Sequence, residues 1–176
     1  FAGVYAVDST NVKLDKLTIN SPGFSGVYAS GMNTFSMTDL TVNAGASPYG
    51  AVIDSSNDVK ITGGTYVVGY QGLRITDSND GSITGATLTG VNNNNILVLP
   101  APIGDGSYTA GINLVESDNW VIRSNTLNTF DVGMYVSAGS VNVAATIEGN
   151  KFNNNFAGIW LDILSTGTLT LNSGPV

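Results

Sequence analysis

The amino-acid sequence predicts an all-β fold, a parallel β-helix in which the chain winds through about seven stacked coils. The first observation is a repeated phrase of glycine, apolar residue, outward-facing residue and apolar residue. Its glycines are Gly3, Gly26, Gly50, Gly72, Gly111, Gly133 and Gly158. They are separated by 23, 24, 22, 39, 22 and 25 residues. A period in the twenties is typical of a solenoid, in which each repeat contacts only its neighbours.

Apolar residues also recur at two fixed distances after these glycines. Eleven residues after the glycine stand Leu14, Met37, Ile61, Ile83, Ile122 and Leu169. Sixteen residues after it stand Ile19, Val42, Tyr66, Leu88 and Leu127. The sixth coil carries a few extra residues near 137–143, after which Ile147 and Phe152 resume the same columns. We expect these columns to fill the interior, where each such side chain contributes about 1.5–3 kcal/mol on burial.

The first coil shows how one repeat is built from three short strands. In the first strand Val4 faces the interior and Tyr5 faces outward, which is the two-residue period of a strand. Residues 8–11 form a turn, because Asp, Ser and Asn side chains bond their own backbone. Two further strands follow, around residues 12–14 and 17–19. Stacking such coils produces three short parallel sheets.

The repeat makes residues 1–176 one continuous rod, interrupted by an inserted loop at 89–110. The insertion accounts for the 39-residue gap and contains the apolar run Ile96–Leu99. We expect it to overhang the first sheet, either as a functional loop or as an added strand that shields a groove. No capping helix is predicted at either end. Open solenoid ends associate with other strands, so we expect the rod to be part of a longer chain or assembly.

Composition narrows the classes of partner. The net charge is −7 with six Lys and Arg residues, which argues against nucleic acid and anionic membrane surfaces as partners. The sequence contains no transmembrane run, so we expect no membrane insertion. The chain contains no cysteine and no histidine, so disulfides and thiolate metal sites are absent. We expect no cofactor, with calcium as the one alternative left open. A glycine-rich, lysine-poor rod of this kind favours an extracellular, cell-surface or virion location.

The last coils carry a family resemblance. Residues 149–161 read Gly-Asn-Lys-Phe-Asn-Asn-Asn-Phe-Ala-Gly-Ile-Trp-Leu. This stretch resembles the right-handed parallel β-helix repeat of carbohydrate-binding proteins and sugar hydrolases, the pectin-lyase-like superfamily. The resemblance implies a right-handed, single-stranded helix and a glycan partner. That superfamily includes lyases, hydrolases, epimerases, phage tailspikes and surface proteins without known activity, so the repeat specifies a scaffold and leaves the chemistry open.

Outward positions of the first strands supply the glycan-binding candidates. In-register stacking places one outward residue of each coil in a row, with neighbouring coils about 4.8 Å apart. The candidates on this face are Tyr5, Tyr28, Arg74, Asn113, Tyr135, Trp160 and Asp162. Aromatic and polar side chains in such a row can contact sugar rings. The alternative is that aromatic residues simply suit outward strand positions and pair across strands.

Acidic residues near the ends of the first strands supply three catalytic candidates, Asp54, Asp77 and Glu116, and Arg74 is the fourth. Asp77 and Glu116 fall in the same column of consecutive coils. Their carboxylates would then have about the 5 Å separation of a retaining glycosidase pair, or could share a calcium ion. The alternative is ordinary turn chemistry, since Asp followed by Ser commonly ends a strand.

Known enzymes of this architecture differ from the present sequence. Polygalacturonase-like enzymes need a histidine, which is absent, and an Arg-x-Lys motif, which neither Arg74 nor Arg123 begins. Two function classes remain. The first is a non-catalytic extracellular or virion-surface rod with a structural, adhesive or self-associating role, which self-associates through its open ends or the 89–110 loop. The alternative is part of a polysaccharide-processing enzyme, a lyase, glycoside hydrolase or epimerase.

Overall fold

The chain winds as a parallel β-helix with three strands per coil. A computed structural model describes residues 1–45, 49–91, 108–137, 143–162 and 169–172. The first three coils contain β1 (Ala2–Val7), β2 (Thr10–Asp15), β3 (Thr18–Asn20), β4 (Ser25–Ser30), β5 (Asn33–Thr38), β6 (Thr41–Asn43), β7 (Tyr49–Asp54), β8 (Asn57–Thr62) and β9 (Thr65–Val68). The next three contain β10 (Gln71–Thr76), β11 (Asn79–Thr84), β12 (Thr87–Gly90), β13 (Ala110–Val115), β14 (Trp120–Arg123), β15 (Thr126–Asn128), β16 (Val132–Ser137), β17 (Val143–Glu148) and β18 (Lys151–Asn153). The seventh contains β19 (Ala157–Asp162) and β20 (Leu169–Asn172).

Every third strand joins the same sheet. The first sheet has the order β1-β4-β7-β10-β13-β16-β19 and the second has the order β2-β5-β8-β11-β14-β17-β20. Among the described residues, the third sheet has the order β3-β6-β9-β12-β15-β18. All strand pairs in these sheets are parallel, and the described residues contain no helix. The prediction of an all-β parallel β-helix with three sheets and about seven coils is confirmed.

The coils stay in register across the long gap between the fourth and fifth glycines. Leu73 pairs with Ile112 and Leu88 pairs with Leu127, so both sides of the 39-residue gap resume the same columns. Residues 92–107, which make up most of the 89–110 insertion, lie outside the described residues. The predicted overhang and the predicted role of Ile96–Leu99 therefore remain predictions.

One predicted column position is wrong. Leu169 was expected to continue the column that contains Ile122, but Ile122 pairs with Ile147, and Leu169 pairs with Val143 instead. More residues separate the first and second strands in the last two coils than in the others. The residue eleven positions after Gly158 therefore comes too early in the second strand to continue the column of Ile122 and Ile147.

The recurrence of glycine at the start of the phrase has a steric cause. A Cβ atom on Gly26 would collide with the interior side chain of Val42 and with the carbonyl oxygen of Gly50 in the next coil. A Cβ atom on Gly72 would likewise collide with the Leu88 side chain and with the carbonyl oxygen of Gly111. Glycine is needed where the first strand passes closest to the third-sheet residues and to the next coil. The apolar residue that follows it, such as Val27 or Leu73, is fully buried in the core.

Corners between strands use the left-handed backbone region. One corner column follows the first strand and contains Asp8, Gly31, Ser55, Asp77 and Glu116, with φ of 48°, 64°, 47°, 49° and 49°. Gly, Asp and Asn tolerate this region best, because short polar side chains can hydrogen-bond locally. Asp8, Asp77 and Glu116, which follow the first strands, are thus corner residues of the fold.

The residue after this corner is a serine in several coils, and it links one coil to the next. Ser56, Ser78 and Ser117 are fully buried. The Ser78 hydroxyl donates to the Thr76 carbonyl at 2.8 Å and accepts from the Ser56 backbone N–H at 3.0 Å. The Ser117 hydroxyl accepts from the Ser78 N–H in the same way. These bonds satisfy corner N–H groups that would otherwise be buried without a partner.

The two end coils have partly exposed interior residues. In the first coil Val4, Ala6, Val12, Leu14 and Ile19 pack against the core but are only partly buried. In the seventh coil Ile159 and Leu161 are exposed. Within the part of the chain that the structure describes, no helix has the length and apolar character needed to cross a membrane.

Candidate functional site on the outer face of the first sheet

The predicted outward row is continuous along the first sheet. Tyr5 pairs with Tyr28, Arg74 with Asn113, and Tyr135 with Trp160. Val52 joins the first part of the row to the second, and Asn113 pairs with Tyr135. The row therefore has the order Tyr5, Tyr28, Val52, Arg74, Asn113, Tyr135 and Trp160. The row has three regions, which differ in packing and solvent accessibility. They are formed, in order, by Tyr5 and Tyr28, by Arg74 and Asn113, and by Tyr135 and Trp160.

The first region is aromatic, and its rings contact one another. The rings of Tyr5 and Tyr28 are stacked, with centroids 5.2 Å apart and an interplanar angle of 8°. Phe1 lies against Tyr5, and Phe24 contacts Phe1 and Tyr49. The ring faces are turned along the helix axis toward neighbouring coils. This geometry matches the cross-strand pairing alternative for Tyr5 and Tyr28, and it leaves mainly ring edges toward solvent.

The middle region contains the exposed cation of the row. The Arg74 guanidinium lies over the Tyr49 ring, 5.8 Å from its centroid, and an Arg74 Nη1 donates to the Tyr49 hydroxyl at 3.4 Å. Asn113, on the next coil, donates from Nδ2 to Gln71 Oε1 at 3.0 Å. Asn113 is only 6% exposed, and its Oδ1 has no hydrogen-bond partner. The middle region therefore combines an accessible guanidinium with a buried acceptor that is unsatisfied.

In the third region, Tyr135 is buried and Trp160 is partly buried. Tyr135 is 2% exposed, and its hydroxyl donates to Asp162 Oδ2 at 2.9 Å. Burial raises the pKa of the Tyr135 phenol to about 12, and the adjacent Asp162 carboxylate also acts to raise it. The Tyr108 ring lies 5.5 Å from the Tyr135 ring, and Trp160 packs partly buried against the same cluster. Of the glycan candidates here, Trp160 and Asp162 retain partial exposure.

Sequence inspection missed Tyr49, Gln71 and Tyr108. Tyr49 and Gln71 directly precede their phrase glycines and pair with each other, so they form a second outward column beside the row. The signal that could have identified them is this fixed position before the glycine. Tyr108 precedes β13 at the end of the long gap, where the repeat gives no template for its position. It is buried, and burial raises its pKa well above the usual range.

The acidic candidates come together at the corner that follows the first strand. Asp77 and Glu116 occupy the same corner column, and Asp54 lies on the strand end of the preceding coil. Partial burial raises the pKa of Asp77, and the charges of Glu116 and Asp54 and a side-chain hydrogen bond with Glu116 raise it further. Asp54 accepts hydrogen bonds from the hydroxyls of Ser30 and Ser55, both at 3.3 Å. Loss of solvation is therefore the largest influence on the Asp77 pKa at this corner, and repulsion from Glu116 and Asp54 adds to it.

The fourth catalytic candidate belongs to a different part of the face. Arg74 contacts Tyr49, and neither Asp54 nor Asp77 forms a salt bridge with it within 4 Å. Among the described residues, no group of three or more carboxylates has the arrangement needed to hold a metal ion. Asp77 and Glu116 together could supply two carboxylate ligands to calcium. The alternative is that the two carboxyl groups share a proton.

Comparison with known proteins agrees with this architecture. A family model described as a right handed beta helix region matches residues 2–173. No curated protein and no solved structure matches the chain. The matched range contains all seven phrase glycines and every strand in the part of the chain that the structure describes. The chain therefore belongs to the right-handed β-helix family.

Proposed function

We propose that this chain is a non-catalytic rod of an extracellular, cell or virion surface, with a structural, adhesive or self-associating role, that contacts glycans near Arg74 and Asn113. The observation that carries the glycan contact is the exposed Arg74 guanidinium, which lies in the outward row of the first sheet. A guanidinium has several N–H donors in a fixed geometry that suit the oxygen atoms of a sugar.

Neighbouring side chains suit the same type of ligand. The Arg74 guanidinium is accessible and lies one coil from Asn113, so it can donate to sugar hydroxyl or carboxylate oxygens. Trp160 lies two coils beyond Asn113 in the row and retains partial exposure. We place the contact in this part of the face because the rings of Tyr5 and Tyr28 are already stacked on each other.

The non-catalytic part of the proposal is supported by how the acidic candidates are used in the fold. Asp77 and Glu116 have left-handed φ values and form part of a corner column whose other members include glycine and serine. Asp54 is held by two serine hydroxyls. The chain has no histidine to act as a general base near neutral pH. The corner positions of Asp77 and Glu116 and the hydrogen bonds of Asp54 support a structural role for these acids.

A glycan array followed by titration calorimetry tests the contact. The wild-type chain and three variants would be compared: Arg74→Ala, Trp160→Ala and, as a control on the second sheet, Lys13→Ala. We expect wild type and the control to bind the same glycan, and the two first-sheet variants to lose at least about tenfold in affinity, or ~1.4 kcal/mol. Absence of any glycan signal for the wild type would contradict the adhesive role. Equal binding by all three variants would contradict the location.

The enzyme alternative is favoured by one observation, the raised pKa of Asp77 beside Glu116 in the same corner column. A pair of acids with one raised pKa is the arrangement used by glycosidases. Polysaccharides bound on the array would be incubated with wild type and with Asp77→Asn, and new reducing ends or unsaturated products would be measured. Turnover by wild type that is lost in Asp77→Asn would replace the non-catalytic proposal.

A further inference from the structure

We infer that Tyr49 is a positioning residue, which holds the Arg74 guanidinium in one orientation for the glycan contact. This inference rests on the proposed function and adds the residue that prepares its central side chain. Tyr49 begins β7 in the third coil, and Arg74 lies in β10 of the fourth coil. Both strands are internal to the first sheet, since β4 and β13 lie on their far sides.

Tyr49 contacts the Arg74 side chain in two ways. The guanidinium carbon of Arg74 lies 5.8 Å from the centroid of the Tyr49 ring, within the range of a cation–π interaction. Nη1 of Arg74 donates to the Tyr49 hydroxyl at 3.4 Å, which is longer than a typical hydrogen bond of this kind. One contact acts on the centre of the guanidinium and the other on one of its nitrogen atoms. Together they restrain both its position and its rotation.

The residues directly beside Arg74 in the outward row do not hold its guanidinium. Val52 pairs with Arg74 on the preceding coil and has no polar side-chain atom. Asn113 pairs with it on the following coil, but the Asn113 side chain donates to Gln71 Oε1. Among the described residues, no carboxylate forms a salt bridge with Arg74. The contact with Tyr49 therefore restrains this cation, and it uses one of the five guanidinium N–H donors.

Aromatic neighbours fix the Tyr49 ring itself. The Phe24 ring lies 5.0 Å from it at an interplanar angle of 62°, and the Tyr70 ring lies 6.0 Å from it at 82°. Such edge-to-face arrangements are favourable for aromatic pairs. The Tyr49 backbone N–H also donates to the Phe24 carbonyl at 3.2 Å. A ring held by two other rings is a firm support for the exposed side chain of Arg74, which rotates about several bonds.

A restrained guanidinium binds a ligand more tightly than a mobile one does. An exposed arginine loses rotamer freedom when a ligand fixes it, and this loss of entropy opposes binding. The contact with Tyr49 removes part of that freedom before the glycan arrives, so the donors of Arg74 are already in a fixed geometry. Truncating the Tyr49 side chain should therefore weaken glycan binding about two- to tenfold.

NMR of the arginine Nε–H groups tests the positioning without any ligand. The chain has two arginines, and Arg123 is the internal control because it has no salt bridge or ring contact in the described part of the chain. We expect the wild-type Arg74 signal to show a ring-current shift and a higher proton–nitrogen heteronuclear NOE than the Arg123 signal. Tyr49→Leu should abolish both differences, and Tyr49→Phe should keep them because the ring remains. Equal NOE values for the two arginines of the wild type would overturn the inference.

Titration calorimetry with the array glycan that gives the strongest wild-type signal tests the effect on binding. We expect Tyr49→Leu to lose about two- to tenfold in affinity in the wild-type background and nothing further in the Arg74→Ala background. An equal loss in both backgrounds would overturn the positioning role, because Tyr49 would then act without Arg74. A wild type that keeps a restrained Arg74 and binds no glycan would contradict the proposed function and support the positioning. Circular dichroism establishes that each variant retains its β structure.

Discussion

The indole of Trp120 packs against the backbone of Gly81, the residue directly below it in the same interior column. These two residues pair in the second sheet, and the Trp120 ring atoms occupy the space that a Gly81 Cβ would need. The Trp120 Nε1 donates to the Ser78 carbonyl at 2.7 Å, so its buried polar atom is satisfied. Ala145 follows Trp120 in the column. The largest side chain in the column is thus placed between two small residues.

Gly81→Ala is therefore expected to destabilise the chain. Overpacking of a tight interior typically costs about 1–3 kcal/mol, because the indole and its hydrogen bond must shift. The measurement is urea-induced unfolding monitored by circular dichroism and tryptophan fluorescence. Combining Gly81→Ala with Trp120→Phe should cost less than the sum of the two single changes. Strict additivity would show that the two sites are not coupled through this contact.

Two glycines of the repeated phrase, Gly133 and Gly158, are expected to differ in how much an alanine substitution destabilises the chain. A Cβ on Gly133 would collide with the Phe152 ring and lie 2.6 Å from the Gly158 carbonyl oxygen. A Cβ on Gly158 would lie 3.7 Å from Phe152, which is an ordinary contact. We expect Gly133→Ala to cost about 2 kcal/mol or more of unfolding free energy, and Gly158→Ala to change it by about 0.5 kcal/mol or less. Equal losses in urea unfolding would refute the steric explanation.

Tyr66 occupies an interior column position where other coils have Ile, Val, Leu or Phe. Its ring is fully buried, and its hydroxyl has no hydrogen-bond partner. Burial raises the pKa of this phenol well above the usual range, and the negative charge of Asp39 raises it further. Replacing Tyr66 by Phe removes a desolvated polar group without changing the ring. We expect a gain of about 1 kcal/mol in unfolding free energy.

Tyr135→Phe is the control for this prediction. Its hydroxyl donates to the Asp162 carboxylate, so the same chemical change removes a hydrogen bond to a charged acceptor. We expect a loss of about 1.5 kcal/mol or more. The two variants should shift thermal unfolding in opposite directions. A loss of stability in Tyr66→Phe would mean that its hydroxyl has a partner.

The acidic corner predicts a pH-dependent effect of Asp77→Asn. Folding raises the Asp77 pKa above its ordinary value of 3.8, so the folded chain favours the protonated carboxyl. The resulting stability is present below the unfolded pKa and is lost as pH rises through the folded pKa. At pH 7, Asn removes repulsion from Glu116 and Asp54 and still suits the left-handed backbone.

We expect Asp77→Asn to be more stable than wild type at pH 7, by about 0.5 kcal/mol or less because the site is largely exposed. At pH 3 the gain should disappear. Urea unfolding at the two pH values provides the measurement. Asp8→Asn is the control, since Asp8 has the same left-handed backbone and its neighbour in the column is Gly31. A similar gain in the control would attribute the effect to the corner backbone and not to charge.

Sequence periodicity predicted the fold because each column repeats the same environment. The glycine phrase and the column that contains Leu88 and Leu127 continue on both sides of the long gap. In-register stacking is needed to bury the apolar residues of the phrase and of the column. Periodicity could not predict that a small residue in one coil compensates for a large one in the next, as Gly81 does for Trp120. It also could not predict that Asn113 and Tyr135 are buried, because outward positions of an ideal coil are exposed. Contacts such as Tyr108 on Tyr135 arise outside the repeat.

The row from Tyr5 to Trp160 exists only if the coils keep one register across the gap between Gly72 and Gly111. Engineered cysteine pairs test this most directly, because the chain has no cysteine of its own. Thr87 pairs with Thr126 across the gap, and both face outward from the third sheet. Neighbouring parallel strands place such Cα atoms about 4.8 Å apart, within the range that a disulfide spans.

The measurement is disulfide formation under mild oxidation, detected by mass spectrometry of the folded protein. We predict that Thr87→Cys with Thr126→Cys forms the bond and retains the circular dichroism spectrum. The off-register pair, Thr87→Cys with Asn128→Cys, should remain reduced, because two residues along a strand add about 6.6 Å. Bond formation in the off-register pair, with none in the in-register pair, would contradict the stacking on which the fold and the site depend.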